Sequence, residues 1–348
     1  MAERKRFKVV IIGAGVGGLS AGVVIQQSCP DIDVEIVADI FSPDTTSDGS
    51  AGFWEPYSIG SDVDRVVELS KKTYDYLMKI VYSPLSAEAG VQLISGYTLF
   101  SDETQEEPRF TNFVDGYRRL TPDELARFSK INPKAGYFYT SVQVEVTPYL
   151  HWLMRRFKEN GGKVRKAKIT NLNQVAQDCD LIVTCCSLGA RELLQDKEIG
   201  PTRGQVIRVI APWVKHFYFY KPKSGMADYS YILPGTSEIV VGGTAQKGDW
   251  RTTIDDQDST KIWETACQVM PVLSKAKKVR EWAGLRPSRD NVRLEKEIIQ
   301  VGDKKMKVVH NYGFGGSGIT IHWGCALETA KMVLELLGCQ ASSVNSRL

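Results

Sequence analysis

The sequence predicts an α/β protein built around a parallel β-α-β unit, and three features near its beginning indicate this class. Phe7 to Ile12 is an apolar run rich in β-branched residues, which is typical of a central strand buried on both faces. A glycine-rich turn follows, and the stretch from Leu19 to Gln27 is predicted to be a helix. A second apolar run, Val34 to Asp39, is predicted to be the next strand and ends in an acidic residue.

The turn between the first strand and the helix has the glycine spacing that dinucleotide binding requires. Gly13, Gly15 and Gly18 permit a tight turn, a close approach of backbone to pyrophosphate, and close packing of helix on strand. The amides at the helix N-terminus then face the phosphates. Asp39 lies about twenty residues beyond Gly18, where a carboxylate can bind the adenosine ribose. The sequence therefore predicts a dinucleotide site, for NAD or FAD equally, formed by Gly13, Ala14, Gly15, Val16, Gly18 and Asp39.

Composition narrows the class of protein. The chain has 348 residues, of which 43% are hydrophobic and 24% charged, as expected of one large globular unit or two joined domains. Its 44 basic and 41 acidic residues include no long basic tract, so no nucleic-acid partner is expected. The apolar runs are too short or too interrupted by glycine to span a membrane, and the first residues lack a secretory signal. The seven cysteines form no Cys-x-x-Cys pair and are predicted to be reduced, with no metal site.

Two further regions bear on which dinucleotide binds. Phe41 to Asp48 is rich in hydroxyl side chains, and Ala51 to Tyr57 follows it with small and aromatic residues. Near the other end, His310 to Thr320 is a second glycine-rich loop that leads into a predicted helix, Trp323 to Leu337. Such a loop is suited to binding an oxygen-rich group. The second loop disfavours an NAD-dependent dehydrogenase, which the first turn alone would permit.

These regions resemble the D-amino acid oxidase family of FAD-dependent enzymes, which includes D-aspartate oxidase. The number, order and spacing of the motifs carry the resemblance, which runs nearly from end to end of the chain. It implies FAD as the cofactor, a D-amino acid and molecular oxygen as the small-molecule substrates, and hydrogen peroxide as a product. The motifs are GAGVGGLS, FSPDTTSD, AGFWEPY, LISGYTLF, RGQV, APWVKHF, YILPGT, GLRP and HNYGFGGSGITIHWGCALE.

The resemblance also implies how the chain is divided. A Rossmann-like FAD-binding domain would consist of residues 1–57, 145–200 and 285–348. It would be interwoven with an α+β substrate-binding domain, formed by residues 58–144 and 201–284 on a large, mainly antiparallel sheet. Independently, Asp180 to Cys185 has the pattern of a buried strand, and the small-residue turn that follows it at Ser187 is expected to face the cofactor.

The resemblance assigns three residues to the substrate. Arg286 matches the carboxylate-binding arginine of the family, and a guanidinium can donate two parallel hydrogen bonds to a carboxylate. Without the family match, a surface salt bridge would be the simpler interpretation. Tyr231 matches the tyrosine whose hydroxyl also reaches that carboxylate, and the Gly316 carbonyl is implied as the acceptor for the amine. Hydride transfer to a flavin needs little acid or base from the protein, so His310 and His322 are predicted to be packed structural residues.

Further residues are expected along the FAD by resemblance. Ile169 would lie near the adenine through its backbone. Arg293 is left open between a cofactor contact and a structural ion pair. The other expected contacts are Thr45, Thr46, Ser47, Gly52, Cys186, Ser187, Gly315, Gly316, Ser317, Gly318, Ile319 and Thr320.

Four positions bear on the side chain of the substrate. Acid-preferring members of the family carry an arginine directly after the Gly-Gly-Thr segment, where this chain has Ala245, so a second carboxylate would be poorly compensated on burial. Glu55, if it faces the pocket, repels an acidic side chain and favours a basic one. Neutral and also basic D-amino acids are therefore expected. Lys221 and Lys223 keep open the alternative of a D-aspartate oxidase acting on D-aspartate and D-glutamate.

The lid over the pocket departs from the family pattern. Ala227 stands where mammalian neutral-substrate members have a second lid tyrosine. Tyr229 is the nearest substitute, but in an extended segment its spacing is expected to direct it elsewhere.

The chain closes on Ser346-Arg347-Leu348, a close variant of the Ser-Lys-Leu tripeptide that is read as a peroxisomal address. The sequence thus predicts the peroxisomal import receptor as a partner and the peroxisome matrix as the location. No membrane partner is expected, and a homodimer is left open.

Overall fold

The computed structural model describes residues 6–57, 61–103, 107–223 and 229–340. The strands, in chain order, are β1 (Phe7–Ile12), β2 (Ile32–Ala38), β3 (Val91–Phe100), β4 (Asp115–Arg119), β5 (Ala135–Val144), β6 (Lys163–Lys166), β7 (Leu181–Thr184), β8 (Gly200–Ile210), β9 (Phe217–Lys221), β10 (Ser230–Pro234), β11 (Ile239–Gly242), β12 (Gln246–Lys247), β13 (Lys277–Val301) and β14 (Lys304–Phe314). The helices are α1 (Val16–Ser28), α2 (Val63–Val81), α3 (Ser86–Ala89), α4 (Pro122–Ala126), α5 (Val146–Glu159), α6 (Asn173–Ala176), α7 (Ala190–Leu193), α8 (Asp256–Val269) and α9 (Gly318–Leu337).

All fourteen strands belong to one sheet, whose order is β4-β5-β3-β9-β10-β11-β8-β13-β14-β7-β1-β2-β6, with β12 added to β8. From β14 to β6 every neighbouring pair is parallel, as expected for buried strands joined through helices. The remaining pairs are antiparallel, except that β3 runs parallel to β9. The predicted fold class, a Rossmann-like unit joined to a large and mainly antiparallel sheet, is confirmed.

The two helices next to the glycine-rich loops begin earlier than their sequence patterns predicted. Helix α1 begins at Val16 rather than Leu19, directly after Gly15. Helix α9 begins at Gly318, five residues before Trp323, and its first turn contains β-branched residues of low helix propensity. These residues are buried, so tertiary packing decides the conformation here rather than propensity.

Strand β13 links the two parts of the sheet. Its first half pairs with β8 and its second half with β14. The strand runs through position 285, where the sequence predicted a domain boundary, and the predicted division into domains stays a prediction. Within the described ranges, no helix has both the length and the apolar character needed to cross a bilayer.

Candidate active site

The first glycine-rich turn lies at the carboxyl edge of the parallel strands. The Gly13 amide donates to the Val37 carbonyl at 2.9 Å, which joins the turn to the end of β2. Gly13 has a φ of +116°, and a Cβ there would overlap the Cys185 carbonyl. A Cβ on Gly18 would overlap the Gly13 carbonyl. Glycine is therefore required at both positions for helix α1 to start this close to the strand.

The N-terminus of α1 opens towards a cavity. Gly15 is the N-cap and supplies no side chain, and no acidic residue lies in the first turn. The Val16 amide points at Ser47, whose hydroxyl oxygen lies 3.2 Å away. A Cβ on Gly15 would also lie 3.2 Å from that oxygen. Amides and a hydroxyl without a local carboxylate form a suitable site for a phosphate group.

The loop after β2 is folded around a buried carboxylate. Asp48 accepts hydrogen bonds from the Ser42 and Thr45 hydroxyls, both at 2.6 Å, and from the Thr45 amide at 3.1 Å. Thr45 therefore shapes the loop and does not line the cavity. Thr46 and Ser47, which follow it, do line the cavity.

One cavity joins the two glycine-rich loops, with an empty volume of about 1420 Å³ that includes space open to solvent. The predicted site residues on its wall are Gly15, Val16, Thr46, Ser47, Gly52, Ser187, Tyr231, Arg286, Gly315, Gly316, Gly318, Ile319 and Thr320. The predicted site residues that do not contribute to this wall are Gly13, Ala14, Gly18, Asp39, Thr45, Ile169, Cys186 and Ser317.

Asp39 and Ile169 lie at the outer end of the same sheet edge. Asp39 is exposed directly after β2. Strand β6 pairs with β2, and the Ala167 amide extends this pairing by donating to the Ala38 carbonyl at 2.9 Å. Ile169 follows two residues later. Both residues thus follow neighbouring paired strands, and their contacts with the adenosine stay a prediction.

The second glycine-rich loop holds the chain around Glu55 to Tyr57. Ser317 accepts a hydrogen bond from the Tyr57 amide at 2.9 Å and donates to the Tyr57 carbonyl. Thr320 donates to the Glu55 carbonyl at 2.9 Å. A Cβ on Gly316 would lie 2.9 Å from the Tyr57 ring. The segment from Glu55 to Tyr57 and the second glycine-rich loop, which are far apart in sequence, therefore form one wall of the cavity together. Gly316 has no side chain, and this leaves room for the Tyr57 ring.

Arg286 enters the cavity from β13. Its Nη1 donates to the carbonyl oxygens of Thr244 at 2.9 Å and Arg203 at 3.4 Å. Within the described parts of the chain, no carboxylate forms an ion pair with it, which excludes the salt-bridge alternative there. Backbone carbonyls thus hold one edge of a guanidinium that has no carboxylate partner among the described residues.

Tyr231 and Tyr229 both line the cavity, and the expectation that Tyr229 would point elsewhere is wrong. The two residues are separated by one position, so in an extended chain they share a face. Burial raises the pKa of Tyr231, and the nearby Arg286 opposes that rise. The Tyr229 ring stacks on the Tyr57 ring with centroids 6.3 Å apart. Ala227, by contrast, lies outside the described residues.

Two glycines that the sequence analysis did not assign make room for these side chains. A Cβ on Gly204 would approach the Arg286 guanidinium to about 2.5 Å, and a Cβ on Gly242 would overlap the Tyr231 ring. Both lie on strands that neighbour their partners in the sheet. Gly204 belongs to RGQV, one of the motifs of the family resemblance. Its role, which is to leave space for the Arg286 guanidinium, becomes visible only from the pairing of β8 with β13.

His322 is buried beneath the second loop, as a packed structural residue. Its Nδ1 lies 2.8 Å from the Ile319 carbonyl, so Nδ1 carries the proton, and Nε2 accepts from the Tyr149 hydroxyl at 2.8 Å. Burial lowers the pKa of His322 to about 4. The imidazole is therefore neutral at physiological pH.

This low pKa predicts a loss of stability in mild acid. Between the unfolded pKa of about 6.5 and the folded value of about 4, the unfolded chain binds the extra proton, so stability falls as pH falls. The loss at pH 4.5 should be roughly 2 to 3 kcal/mol. Urea unfolding measures the free energy of unfolding at pH 7 and at pH 4.5. Its decrease between the two pH values should be smaller for His322→Asn than for the parent protein. His151→Asn, at an exposed histidine, is the control. An equal decrease in His322→Asn and His151→Asn would contradict the assignment of the low pKa to His322.

Arg293 belongs to an ion-pair network outside the cavity. It binds Glu295 at 2.7 Å and Glu297 at 3.1 Å, and it donates to the Tyr312 hydroxyl at 2.9 Å. Of the two alternatives that the sequence left open, the geometry matches the structural ion pair. His310 also joins this network, through Glu297 at 3.1 Å.

The residues on the cavity wall have the chemistry that binding of a large cofactor requires. The buried Ser50 hydroxyl lies on the wall without a hydrogen-bond partner among the described residues. Gly15 leaves open the space that a side chain would fill. Among those residues, no three His, Cys, Asp or Glu side chains are grouped as metal ligands. Fold and cavity together define a dinucleotide-binding protein, and an arginine guanidinium lies on the wall of the same cavity.

Comparison with known proteins identifies the family. A family model described as "FAD dependent oxidoreductase" matches residues 8–332. The chain is 39% identical over 330 residues to D-aspartate oxidase from Homo sapiens, covering 94% of this chain and 95% of that one. It is 33% identical over 332 residues to D-amino-acid oxidase from Rubrobacter xylanophilus, covering 95% and 97%. This chain belongs to the family of FAD-dependent oxidoreductases, and its cofactor is FAD.

The fold recurs in solved structures of much lower sequence identity. Glycine oxidase from Bacillus cereus aligns with a TM-score of 0.73 at 18% identity, covering 96% of this chain and 95% of the other. Iminodiacetate oxidase from Chelativorans sp. BNC1 aligns with a TM-score of 0.71 at 19% identity, covering 96% of each.

Proposed function

We propose that this protein is a D-amino acid oxidase that acts on neutral, and also on basic, D-amino acids. The substrate, water and oxygen would give a 2-oxo acid, ammonia and hydrogen peroxide. The observation that carries the proposal is Arg286, a guanidinium with no ion-pair partner among the described residues, on the wall of the cavity that begins at the cofactor turn. When bound, the flavin supplies the acceptor for the α-hydride and the route of electrons to oxygen.

The protein's own residues bind and orient the substrate. Arg286 and the Tyr231 hydroxyl would hold the α-carboxylate, and the Gly316 carbonyl would accept a hydrogen bond from the amine. Holding the reacting carbon at a fixed distance and angle is the main contribution that the protein makes. Tyr57 and Tyr229 form a stacked aromatic wall that helps to exclude water.

The proposed preference for a substrate with a neutral side chain rests on the other residues that line the cavity with Arg286. Phe53, Phe219 and Leu233 line the cavity there, and Glu55 is the acidic residue on its described wall. An acidic side chain would meet apolar surface and a like charge. The relatives favour a second candidate function, oxidation of D-aspartate and D-glutamate, because the identity is 39% to D-aspartate oxidase from Homo sapiens and 33% to D-amino-acid oxidase from Rubrobacter xylanophilus.

Anaerobic reduction of the bound flavin separates these candidates. D-alanine, D-aspartate, D-arginine and their L-forms are mixed in parallel with the yellow protein, and bleaching is followed by absorbance. D-alanine is expected to bleach the flavin faster than D-aspartate, and the L-forms are expected to leave it oxidised. Faster reduction by D-aspartate would establish the second candidate, whereas no reduction by any D-form would refute both.

The peroxisome matrix is proposed as the location, on the basis of Ser346-Arg347-Leu348, which lies outside the described residues. The proposed product, hydrogen peroxide, supports it, since catalase removes peroxide in that compartment. A fluorescent protein fused ahead of Met1 should label peroxisomes, and deletion of the last three residues should disperse the label. An unchanged pattern after the deletion would contradict the proposed import receptor.

A further inference from the structure

Glu55 is held in place by backbone contacts on both sides. The Trp54 amide donates to the Val142 carbonyl at 2.9 Å, and Ser141 donates to the Trp54 carbonyl at 2.8 Å. Thr320 donates to the carbonyl of Glu55 itself. Because the main chain is fixed, the side chain has few directions open to it. It lies on the cavity wall, with only 8% of the residue exposed.

The Glu55 carboxylate binds one ammonium group from outside the cavity. Lys221 Nζ lies 2.9 Å from Oε1, and the Tyr139 hydroxyl lies 3.4 Å from Oε2. Lys221 is the last residue of β9, its side chain is 29% exposed, and it does not contribute to the cavity wall. The ammonium can therefore move into water, whereas the carboxylate cannot.

Glu55 and Arg286 are the two charged residues on the described wall of the cavity. Burial raises the pKa of Tyr57, Arg286 lowers it, and Glu55 raises it. The same two charges act on Tyr229. A positive and a negative group thus act on one stacked pair of rings. A ligand that reached from Arg286 to Glu55 would need a carboxylate at the first end and a cation at the second.

We propose that Glu55 is a binding site for the cationic side chain of basic D-amino acids, and that Lys221 occupies this site until such a substrate replaces it. This inference rests on the proposed function. The exchange replaces one ammonium by another cation, so the buried carboxylate is never left unpaired. A neutral substrate leaves the pair intact. An acidic substrate would place a second carboxylate beside Glu55, so Glu55 also discriminates against acids.

Two substitutions should shift specificity in opposite directions. Oxygen uptake is measured with D-arginine, D-lysine, D-methionine, D-alanine and D-aspartate on the FAD-loaded protein. Glu55→Gln should lower kcat/KM for D-arginine by about 10- to 100-fold, mainly through KM, while D-methionine changes less than about threefold. Lys221→Met removes the competing ammonium and should raise kcat/KM for D-arginine relative to D-methionine. Lys223→Met, at an exposed lysine two residues further on, is the matched control.

The outcomes distinguish this inference from the proposed function. If D-alanine does not reduce the flavin of the parent protein, the proposed function fails. If D-alanine reduces it but Glu55→Gln changes D-arginine and D-methionine equally, Glu55 is only structural and the inference alone is overturned. Should Glu55→Gln fail to fold, Lys221→Met still decides, because no gain for D-arginine over D-methionine contradicts the exchange.

Discussion

Replacement of Arg286 by alanine is expected to lower kcat/KM for D-alanine by about 1000-fold while the purified protein stays yellow. The guanidinium would lose two charge-assisted hydrogen bonds to the α-carboxylate, each worth roughly 2 kcal/mol. Arg286 contacts the backbone carbonyls of Arg203 in β8 and of Thr244 between β11 and β12, but no described carboxylate, so its removal leaves no described buried acid unpaired. Steady-state oxygen uptake and the flavin spectrum of the same sample measure the two effects separately.

The same strand supplies the control for this prediction. Arg280 also lies on β13, but it is on the surface, where it pairs with Glu238 at 2.9 Å with 61% of its side chain exposed. Arg280→Ala should leave turnover unchanged. Arg286→Lys keeps the charge but not the planar fork, so its activity should fall between parent and alanine variant. Unchanged turnover of Arg286→Ala would refute the role of this residue.

The turn at Gly13 to Gly18 could be predicted from sequence because its geometry is local. A strand, three glycines and a helix follow one another within a few residues, so their spacing alone encodes the close packing that the structure shows. The surroundings of Arg286 could not be derived in this way. They depend on the pairing of β13 with β8, which brings Gly204 and Thr202 beside it from more than 80 residues away.

Glu55 illustrates the same limit for specificity. From sequence it was equally consistent with solvent and with the pocket, and only the pocket position gives it a role in substrate choice. The structure places it on the cavity wall and pairs it with Lys221, 166 residues further along the chain. No local pattern connects two such positions, since the contact arises only after β9 has joined the sheet. Lys223, which sequence left as an equal candidate, is exposed instead.

Substitution of Gly15 by valine is expected to produce a folded protein that does not retain FAD. The Cβ would enter the space between the start of α1 and Ser47, 3.2 Å from the hydroxyl oxygen, and its two methyl groups would extend further into the cavity. The pyrophosphate could then no longer approach the helix amides, and FAD affinity should fall roughly 100-fold or more. Equilibrium titration of the apoprotein with FAD, followed by flavin fluorescence, measures this loss.

The choice of Gly15 allows cofactor binding to be tested apart from folding. At Gly13 and Gly18 a side chain would overlap backbone carbonyls, so substitution there would disturb the packing of α1 on β1 itself. At Gly15 the close contact is one hydroxyl at the cavity wall, and far-ultraviolet circular dichroism should stay unchanged. Gly200→Val, at the first residue of β8 with no atom near its Cβ, is the matched control and should bind FAD normally. Retention of FAD by Gly15→Val would show that the pyrophosphate does not lie against this turn.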